Sequence, residues 1–422
     1  MHDTNEPAAP AWKVGHIYPV VPGQLYFTSH PASNSARSNI LDAIKTRPDL
    51  FFFSTPEPES YHAYGKDFGP TDLAGVVSFC RAIRGLLQDP RLKGRPVIYY
   101  TEADSETLAN AAFLLGAYLL LVEGMSPEDA AAPFSRIQPS PFKAFRDATL
   151  IESDFDLSIL DCLRGLARGA RAGFFNLETF DVEQFARDDD IGLSVMCPKF
   201  VAFRGPVSRN DRPSHALQPE EYLDRFQELE VSDVVRLNEA STYDRQVFVE
   251  AGMAHHEMEF TDCTSPDLPI VEQFLEACSG SQGVIAVHCL AGLGRTGTLI
   301  ALYIMGEYGW SARETIGWLR IVRPGSVIGA QQHFLVTVEG GMSHNLAVEA
   351  VQHPARDEAR RVLTQHTPPP PGNHKTAPPA SSGASAKERK MAALRAAQVT
   401  KGLARRASSG RSRARLLGTS PT

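Results

Sequence analysis

The chain has 422 residues, 43% of them hydrophobic and 22% charged, the balance of a soluble globular protein with room for two or three domains and their cores. Its formal charge is −7, but residues 351–422 hold 14 basic against 3 acidic side chains (net +11), so residues 1–350 carry −18. An acidic body argues against a grip on nucleic acid by the folded part and suits a basic peptide better.

In chain order, residues 1–15 are polar and Pro-rich and are expected to be disordered. They lack a basic start followed by an apolar run, so no secretory signal is expected. From residue 16 to 155, strand-like runs (QLYFTS, LFFFST, PVIYYT) alternate with apolar-periodic ones (TDLAGVVSFCRAIRGLLQ, SETLANAAFLLGAYLLLV), which predicts an α/β domain. The longest apolar stretch, 108–122, is interrupted by Asn110 and Gly116 and is too short to span a bilayer. Residues 156–173 (DLSILDCLRGLARGARAG) read as an amphipathic linking helix ending at Gly. A second α/β block follows over 174–348, with strands at KFVAF, VVRLN and VIAVHC. Residues 349–422 form a Pro/Ser-rich basic tail, expected to be mostly disordered. Within it Ser385 and Glu388 could cap a basic helix, and Arg405-Arg406-Ala407-Ser408, Thr367-Pro368 and Ser420-Pro421 resemble minimal kinase sites. The six cysteines (80, 162, 197, 263, 278, 289) lack paired spacing, which favours reduced, intracellular thiols.

One stretch carries chemistry. His288-Cys289-Leu290-Ala291-Gly292-Leu293-Gly294-Arg295-Thr296-Gly297 lies between a predicted strand and a predicted helix. A Cys at the end of a strand, over a Gly-containing loop, faces converging backbone N–H groups from Leu290, Ala291, Gly292, Leu293 and Gly294 and the positive end of the next helix. That field favours a thiolate, and the same cradle binds a phosphate dianion that Arg295 can grip as a planar fork. Nucleophile and anion site coincide, as covalent phosphoryl transfer to sulfur requires. The bland alternative is a buried structural Cys in a strand-turn-helix. The reaction also needs an acid and a base. Asp262, 27 residues before Cys289, follows the strand-like HHEMEF and is the favoured candidate; Asp267 precedes an apolar helix and is more naturally its cap. Gln331 and Gln332 could position water without repelling phosphate. No metal or cofactor is called for.

The same frame occurs twice. At a shift of 185 residues GMSPEDAAAPFSRIQP lies on GWSARETIGWLRIVRP without gaps, which sets Asp104 in the place of Cys289 and Asn110 in that of Arg295. An Asp supplies no thiolate and repels phosphate, so the first copy is expected to be unarmed.

The signature loop is that of the cysteine-dependent protein tyrosine phosphatase superfamily. With GQLYFTS, DFGPTDL, FDVEQF, PKFVAFRGP, TYD and RPGSVIGAQQ, the chain over roughly residues 15–345 resembles the cell-division-cycle fourteen family of dual-specificity phosphatases. The resemblance implies two tandem phosphatase-like α/β domains joined by a linker helix, only the second catalytic. It implies a phosphocysteine intermediate, with Thr296 helping it leave and His288 ordering the loop. It further implies phosphoprotein substrates at phosphoSer-Pro sites followed by a basic residue, also phosphoTyr and phosphoThr, in opposition to proline-directed cell-cycle kinases. Leu293 and Tyr100 become candidates for an apolar wall of the peptide groove, and Asp188-Asp189-Asp190 for its acidic lip. A nuclear or cytoplasmic place, including cytoskeletal or centrosome-like structures, follows from the same resemblance. Two departures stand out: Leu290 where the family has Lys, and Cys263 where it favours Gly. Alternatives are a phosphotyrosine or lipid phosphatase of the same superfamily, and a catalytically silent phosphopeptide-binding scaffold. The sequence leaves the oligomeric state open.

Overall fold

The protein is described by a computed structural model that covers residues 11–31, 42, 44–208 and 217–339. The expectations for residues 1–10 and for the tail, with its capping-box helix and kinase-like sites, lie outside the described residues. Residues 11–15, expected to be disordered, instead pack on the first sheet, where Gly15 N bonds to Ser29 O and the Trp12 ring stacks on Tyr18.

The first domain is built on strands β1 (Tyr18–Val21), β2 (Leu25–His30), β3 (Phe51–Phe53) and β4 (Val97–Glu102), in the sheet order β1-β2-β4-β3. β2 and β3 both pair in parallel with β4, and parallel neighbours require crossover helices. Between β3 and β4 this is α1 (Leu73–Gln88); α2 (Ser105–Leu121) follows β4, the last strand of the sheet. Asp72 caps α1 by accepting from Gly75 N. α2 is buried on nearly every face, from Thr107 to Leu120, which is why its sequence shows no polar stripe. α3 (Pro127–Ser135) follows, capped by Ser126.

The link is α4 (Ile159–Arg171), opened by a reciprocal capping box between Ser158 and Asp161. The second domain adds α5 (Val182–Asp190), β5 (Leu193–Cys197), β6 (Phe200–Arg204), α6 (Leu223–Glu228), β7 (Val231–Arg236), α7 (Gln246–Glu250), β8 (Ala254–Glu257), α8 (Leu268–Gly280), β9 (Val284–Cys289), α9 (Gly294–Tyr308), α10 (Ala312–Val322) and α11 (Ala330–Glu339). Its sheet order is β5-β6-β9-β7-β8. β6 and β7 flank β9 in parallel, as β2 and β3 flank β4, and each sheet opens with an antiparallel hairpin. The repeated frame is therefore structural. Gly124 and Gly309 both take left-handed backbone (φ +70° and +61°), and Ser126 and Ser311 both cap the following helix.

The two domains share a continuous apolar core. α4 lies directly on α10, and it can do so because two of its residues have no side chain. A Cβ on Gly165 would sit 2.3 Å from Glu314 O, and one on Gly169 would sit 2.4 Å from the Trp318 ring. Phe174, Phe175, Trp310 and Trp318 close the edge of this contact as an aromatic cluster. A separate apolar cluster, including Phe203, Tyr222, Phe226 and Phe248, fills another part of the second domain. Among the described residues no helix is long and apolar enough to cross a membrane.

Candidate active site

Cys289 is the last residue of β9, the middle strand of its sheet, and is buried. Residues 290–293 turn the chain into α9. Two backbone requirements explain the glycines. Gly292 has φ +67°, and a Cβ there would lie 2.0 Å from Phe203 O; one on Gly294 would lie 2.9 Å from Gln331 Oε1. The loop is clamped from outside by Arg323, whose Nε donates to Gly292 O (2.7 Å) and Nη2 to Ala291 O (3.1 Å), while Nη1 binds Ser194 Oγ. Because a peptide plane sets C=O and the next N–H in opposite directions, the N–H groups of Gly292 and Leu293 face away from Arg323. Sequence reasoning missed this clamp, although Arg323 precedes Pro324 in the RPGSVIGAQQ stretch.

Arg295, the second residue of α9, is 3% exposed, and its Nη1 donates to Leu237 O (2.9 Å) and Phe260 O (2.8 Å). Its Nε lies 3.2 Å from Asp262 Oδ1, a charge contact whose angle falls outside hydrogen-bond geometry. Phe260 N bonds back to Leu237 O, so the strand pairing of β8 continues loosely almost to Asp262. Asp262 is thus brought to the loop, with a side chain 63% exposed. Asp267 accepts from Ile270 N and caps α8. Cys263, beside Asp262, holds φ +61°, a conformation that glycine adopts freely and other residues only at a cost. The Thr296 hydroxyl is buried with no hydrogen-bond partner among the described residues.

His288 begins a chain of contacts. Its Nδ1 lies 3.0 Å from Cys289 O, its Nε2 2.8 Å from Tyr243 Oη, and Tyr243 Oη is 2.8 Å from His255 Nε2. His255 Nδ1 then lies 3.3 Å from Glu257 Oε1, and Arg236 forks onto Glu257. Burial pushes the His288 imidazole down to about 3 and that of His255 to about 4, so both are neutral near pH 7. A neutral His288 facing a carbonyl donates from Nδ1 and accepts the Tyr243 hydroxyl proton at Nε2. It therefore orders the Cys289 peptide and is not available as a base.

Several expected roles change. Gln332 is buried, accepting from Arg320 Nη2 (2.6 Å) and donating to Gly329 O, so both ends of its amide are engaged by protein partners. Gln331 accepts from Ile328 N and donates to Thr264 O (3.0 Å), tying its segment to the acid loop. Leu293 is buried rather than a surface wall, whereas Leu290 is 48% exposed at the loop's rim. The Tyr100 ring lies tilted beside that of His30 within the first sheet, their centroids 5.8 Å apart. The first-domain aromatic that reaches the catalytic edge is Tyr64, 2.8 Å from where a Gly325 Cβ would be, with Leu293 Cδ1 beside it at 3.4 Å. Asp188 is no lip: it is buried and bound by both Arg225 Nε (2.9 Å) and Nη2 (2.8 Å). Asp190 is exposed and Asp189 half-buried.

The gap-free register also fails at its key position. β4 ends at Glu102 and α2 begins at Ser105, whereas β9 ends at Cys289 and α9 begins at Gly294. Asp104 is therefore not the counterpart of Cys289. It is the cap of α2, its Oδ1 accepting from Glu106 N (3.1 Å) and Thr107 N (2.9 Å). The unarmed copy lacks the cradle loop, and its helix N-terminus is filled by its own carboxylate.

Comparison with known proteins agrees with this architecture. Residues 19–169 match the model of the dual specificity protein phosphatase N-terminal half, and residues 216–339 that of the dual specificity phosphatase catalytic domain. The chain belongs to the CDC14 family of dual specificity phosphatases. It is 41% identical over 299 residues to dual specificity protein phosphatase CDC14A of Homo sapiens, covering 69% of this chain and 50% of that protein. It is 38% identical over 299 residues to CDC14C of Homo sapiens, covering 69% and 66%. With the tyrosine-protein phosphatase CDC14 of Saccharomyces cerevisiae it shares 36% identity over 302 residues, 68% of this chain and 54% of that protein. The chain thus spans between half and two thirds of the length of these relatives.

Proposed function

We propose that the chain hydrolyses phosphate monoesters on protein side chains through a phosphocysteine. The Cys289 thiolate attacks phosphorus in line, forming the S–P bond as the P–O bond to the protein breaks. Asp262 gives its proton to the departing oxygen. Water then attacks phosphorus and returns a proton to Asp262, the S–P bond breaks, and the Thr296 hydroxyl stabilises the sulfur that leaves. Loop N–H groups and Arg295 hold the phosphate oxygens throughout. The observation that carries this reading is that Arg295, on the helix that follows the Cys289 loop, meets Asp262 at 3.2 Å.

The finer reading is a preference for phosphoSer followed by Pro and then a basic residue, with phosphoTyr and phosphoThr also accepted. It is supported by the family resemblance and by the net charge of −18 over residues 1–350. Asp189 and Asp190 remain the candidates for the acidic lip, and Tyr64 joins the candidates for its apolar wall. A role opposite proline-directed kinases in the cell cycle, in nucleus or cytoplasm, follows the same reading.

The test is turnover of matched phosphoSer-Pro-x-Lys and phosphoTyr peptides by wild type, Cys289→Ser and Asp262→Ala. Preference for the first peptide, lost in both variants, supports the whole reading. Preference for phosphoTyr removes the Ser-Pro assignment and keeps the chemistry. Binding without turnover makes the chain a phosphopeptide scaffold.

A further inference from the structure

We propose that the unarmed first domain is a positioning element of the active site, acting through Asp147 on residues 325–332 and, through them, on the acid loop. The proposal rests on the reading of Cys289 and Asp262 as the reacting pair.

The segment between α10 and α11 lies against the start of α9. Val327 N bonds to Leu293 O, and Val327 atoms lie 3.2 Å from where a Gly297 Cβ would be. Val327 is fully buried with φ +62°. A β-branched residue is rarely found in left-handed backbone, and it persists there only where its surroundings over-determine it. From within the second domain, besides the Leu293 bond, Arg320 constrains it: its Nε donates to Ser326 O and its Nη2 to Val327 O and Gln332 Oε1, and Ser326 Oγ donates to Arg323 O.

Further constraints come from the first domain. Asp147 is buried, and its Oδ2 accepts from Gly329 N at 2.5 Å while its Oδ1 accepts from Thr149 Oγ1 at 2.8 Å. Tyr64 covers Gly325, and Thr149 Cγ2 lies 3.3 Å from a Cβ built on Gly329. Arg320 is fully buried, and its Nη1 has no hydrogen-bond partner among the described residues. An uncompensated buried guanidinium is costly. The carboxylates whose charge offsets it are Asp147 and Asp67, both of the first domain.

From Gly329 the path to the chemistry is short. Gln331 N and Gln332 N bond to Ile328 O and Gly329 O in one turn. The Gln331 amide then reaches Thr264 O, two residues from Asp262. Each link is a hydrogen bond, from the buried Asp147 to the exposed Thr264 at the acid loop. Loss of the first link removes the first domain's hydrogen bond to a strained segment.

The experiment uses the full chain with Asp147→Ala and Asp147→Asn, of which Asn keeps an acceptor oxygen for Gly329 N. Three readouts are taken: kcat and KM on a phosphopeptide, amide hydrogen exchange by peptide, and the thermal midpoint. The expected result for Asp147→Ala is a kcat about tenfold lower with KM within about twofold, and faster exchange confined to residues 258–266 and 325–332. Asp147→Asn, which keeps the acceptor for Gly329 N but not the charge facing Arg320, recovers part of both. The proposal is overturned if exchange rises equally in both sheets in step with the thermal midpoint, or if kcat and local exchange stay at wild-type values. If wild type turns over no phosphopeptide while Asp147→Ala still speeds exchange of the acid loop, positioning stands and the functional reading fails. Should Asp147→Ala not fold, Thr149→Val, which removes one bond to the same carboxylate, carries the test with the same two outcomes.

Discussion

Asp262 Oδ1 lies 3.2 Å from Arg295 Nε, so the candidate acid rests on the side chain that would hold the phosphate. A dianion entering the cradle competes for that guanidinium and frees the carboxyl to meet the leaving oxygen. Because Asp262 is largely exposed, the pair itself is worth about 1 kcal/mol or less. Asp262→Asn is expected to lower kcat by roughly 10²-fold or more. The same change should tighten inhibition by inorganic phosphate by at most about fivefold, since only a weak competitor is removed. Steady-state kinetics with product inhibition read both numbers, and an unchanged kcat excludes Asp262 as the acid.

Leu290 stands exposed at the rim of the loop, where the family has a cation. Leu290→Lys adds a positive charge beside the anion site at little packing cost. An exposed charge pair of this kind is worth up to about 1 kcal/mol. Inorganic phosphate should therefore bind roughly two- to fivefold tighter, more so at low ionic strength. Titration at two salt concentrations checks this, and equal affinity in variant and wild type contradicts it.

His255 and His288 set a pH dependence of stability. Both are held neutral by burial, and the ionisable groups around them are Glu257, Arg236, Arg245, His256 and Arg295. Their folded values, about 4 and about 3, lie below the unfolded value of about 6.5. Between these limits the unfolded chain binds more protons than the native one, so stability rises with pH. The contribution is complete above about pH 6.5 and is lost as pH falls toward 4 and then 3. Its size is on the order of a few kcal/mol for the two together. The thermal midpoint should fall steadily from pH 7 to pH 4.5, and His255→Gln should flatten part of the slope. A midpoint constant over that range would show that the imidazoles charge without cost.

The helix crossing at Gly165 is equally testable. A Cβ there would lie 2.3 Å from Glu314 O and 2.7 Å from Trp318 N. Relief requires α4 to move off α10, which disturbs a fully buried tryptophan. Gly165→Ala is expected to cost roughly 2–3 kcal/mol. At Gly85 nothing lies within 4 Å of a built Cβ, so Gly85→Ala should be neutral or slightly stabilising. Denaturant unfolding of the two variants separates the outcomes, and equal midpoints would refute the close crossing.

Much of the molecule was legible because its signals are local. The cap at Asp267 bonds to backbone three residues on, so a short window of sequence contains both partners. The predicted strands QLYFTS, PVIYYT and VIAVHC fall on β2, β4 and β9, because period and residue type are read along one segment. The Asp188-Asp189-Asp190 run misleads for the opposite reason. Arg225, which buries Asp188, lies 37 residues away on another helix. Tyr100 and Tyr64 cannot be ranked without knowing which edge of the first domain meets the second. The register that set Asp104 on Cys289 is sound around Ser126 and Ser311, yet it misses a strand-to-helix turn of different length.

The sequence by itself determined the candidates for nucleophile, phosphate-binding arginine and acid, the repeated frame and the family, since each is carried by residue type and spacing along the chain. Only the tertiary structure decided that Asp262 meets Arg295, that Arg323 clamps the loop's carbonyls, that Gln331 and Gln332 are committed to protein partners, and that a first-domain carboxylate holds Gly329. The physical reason is that a buried polar group must find a partner. Which partner it finds depends on the segments the fold brings together, and sequence distance carries no record of that.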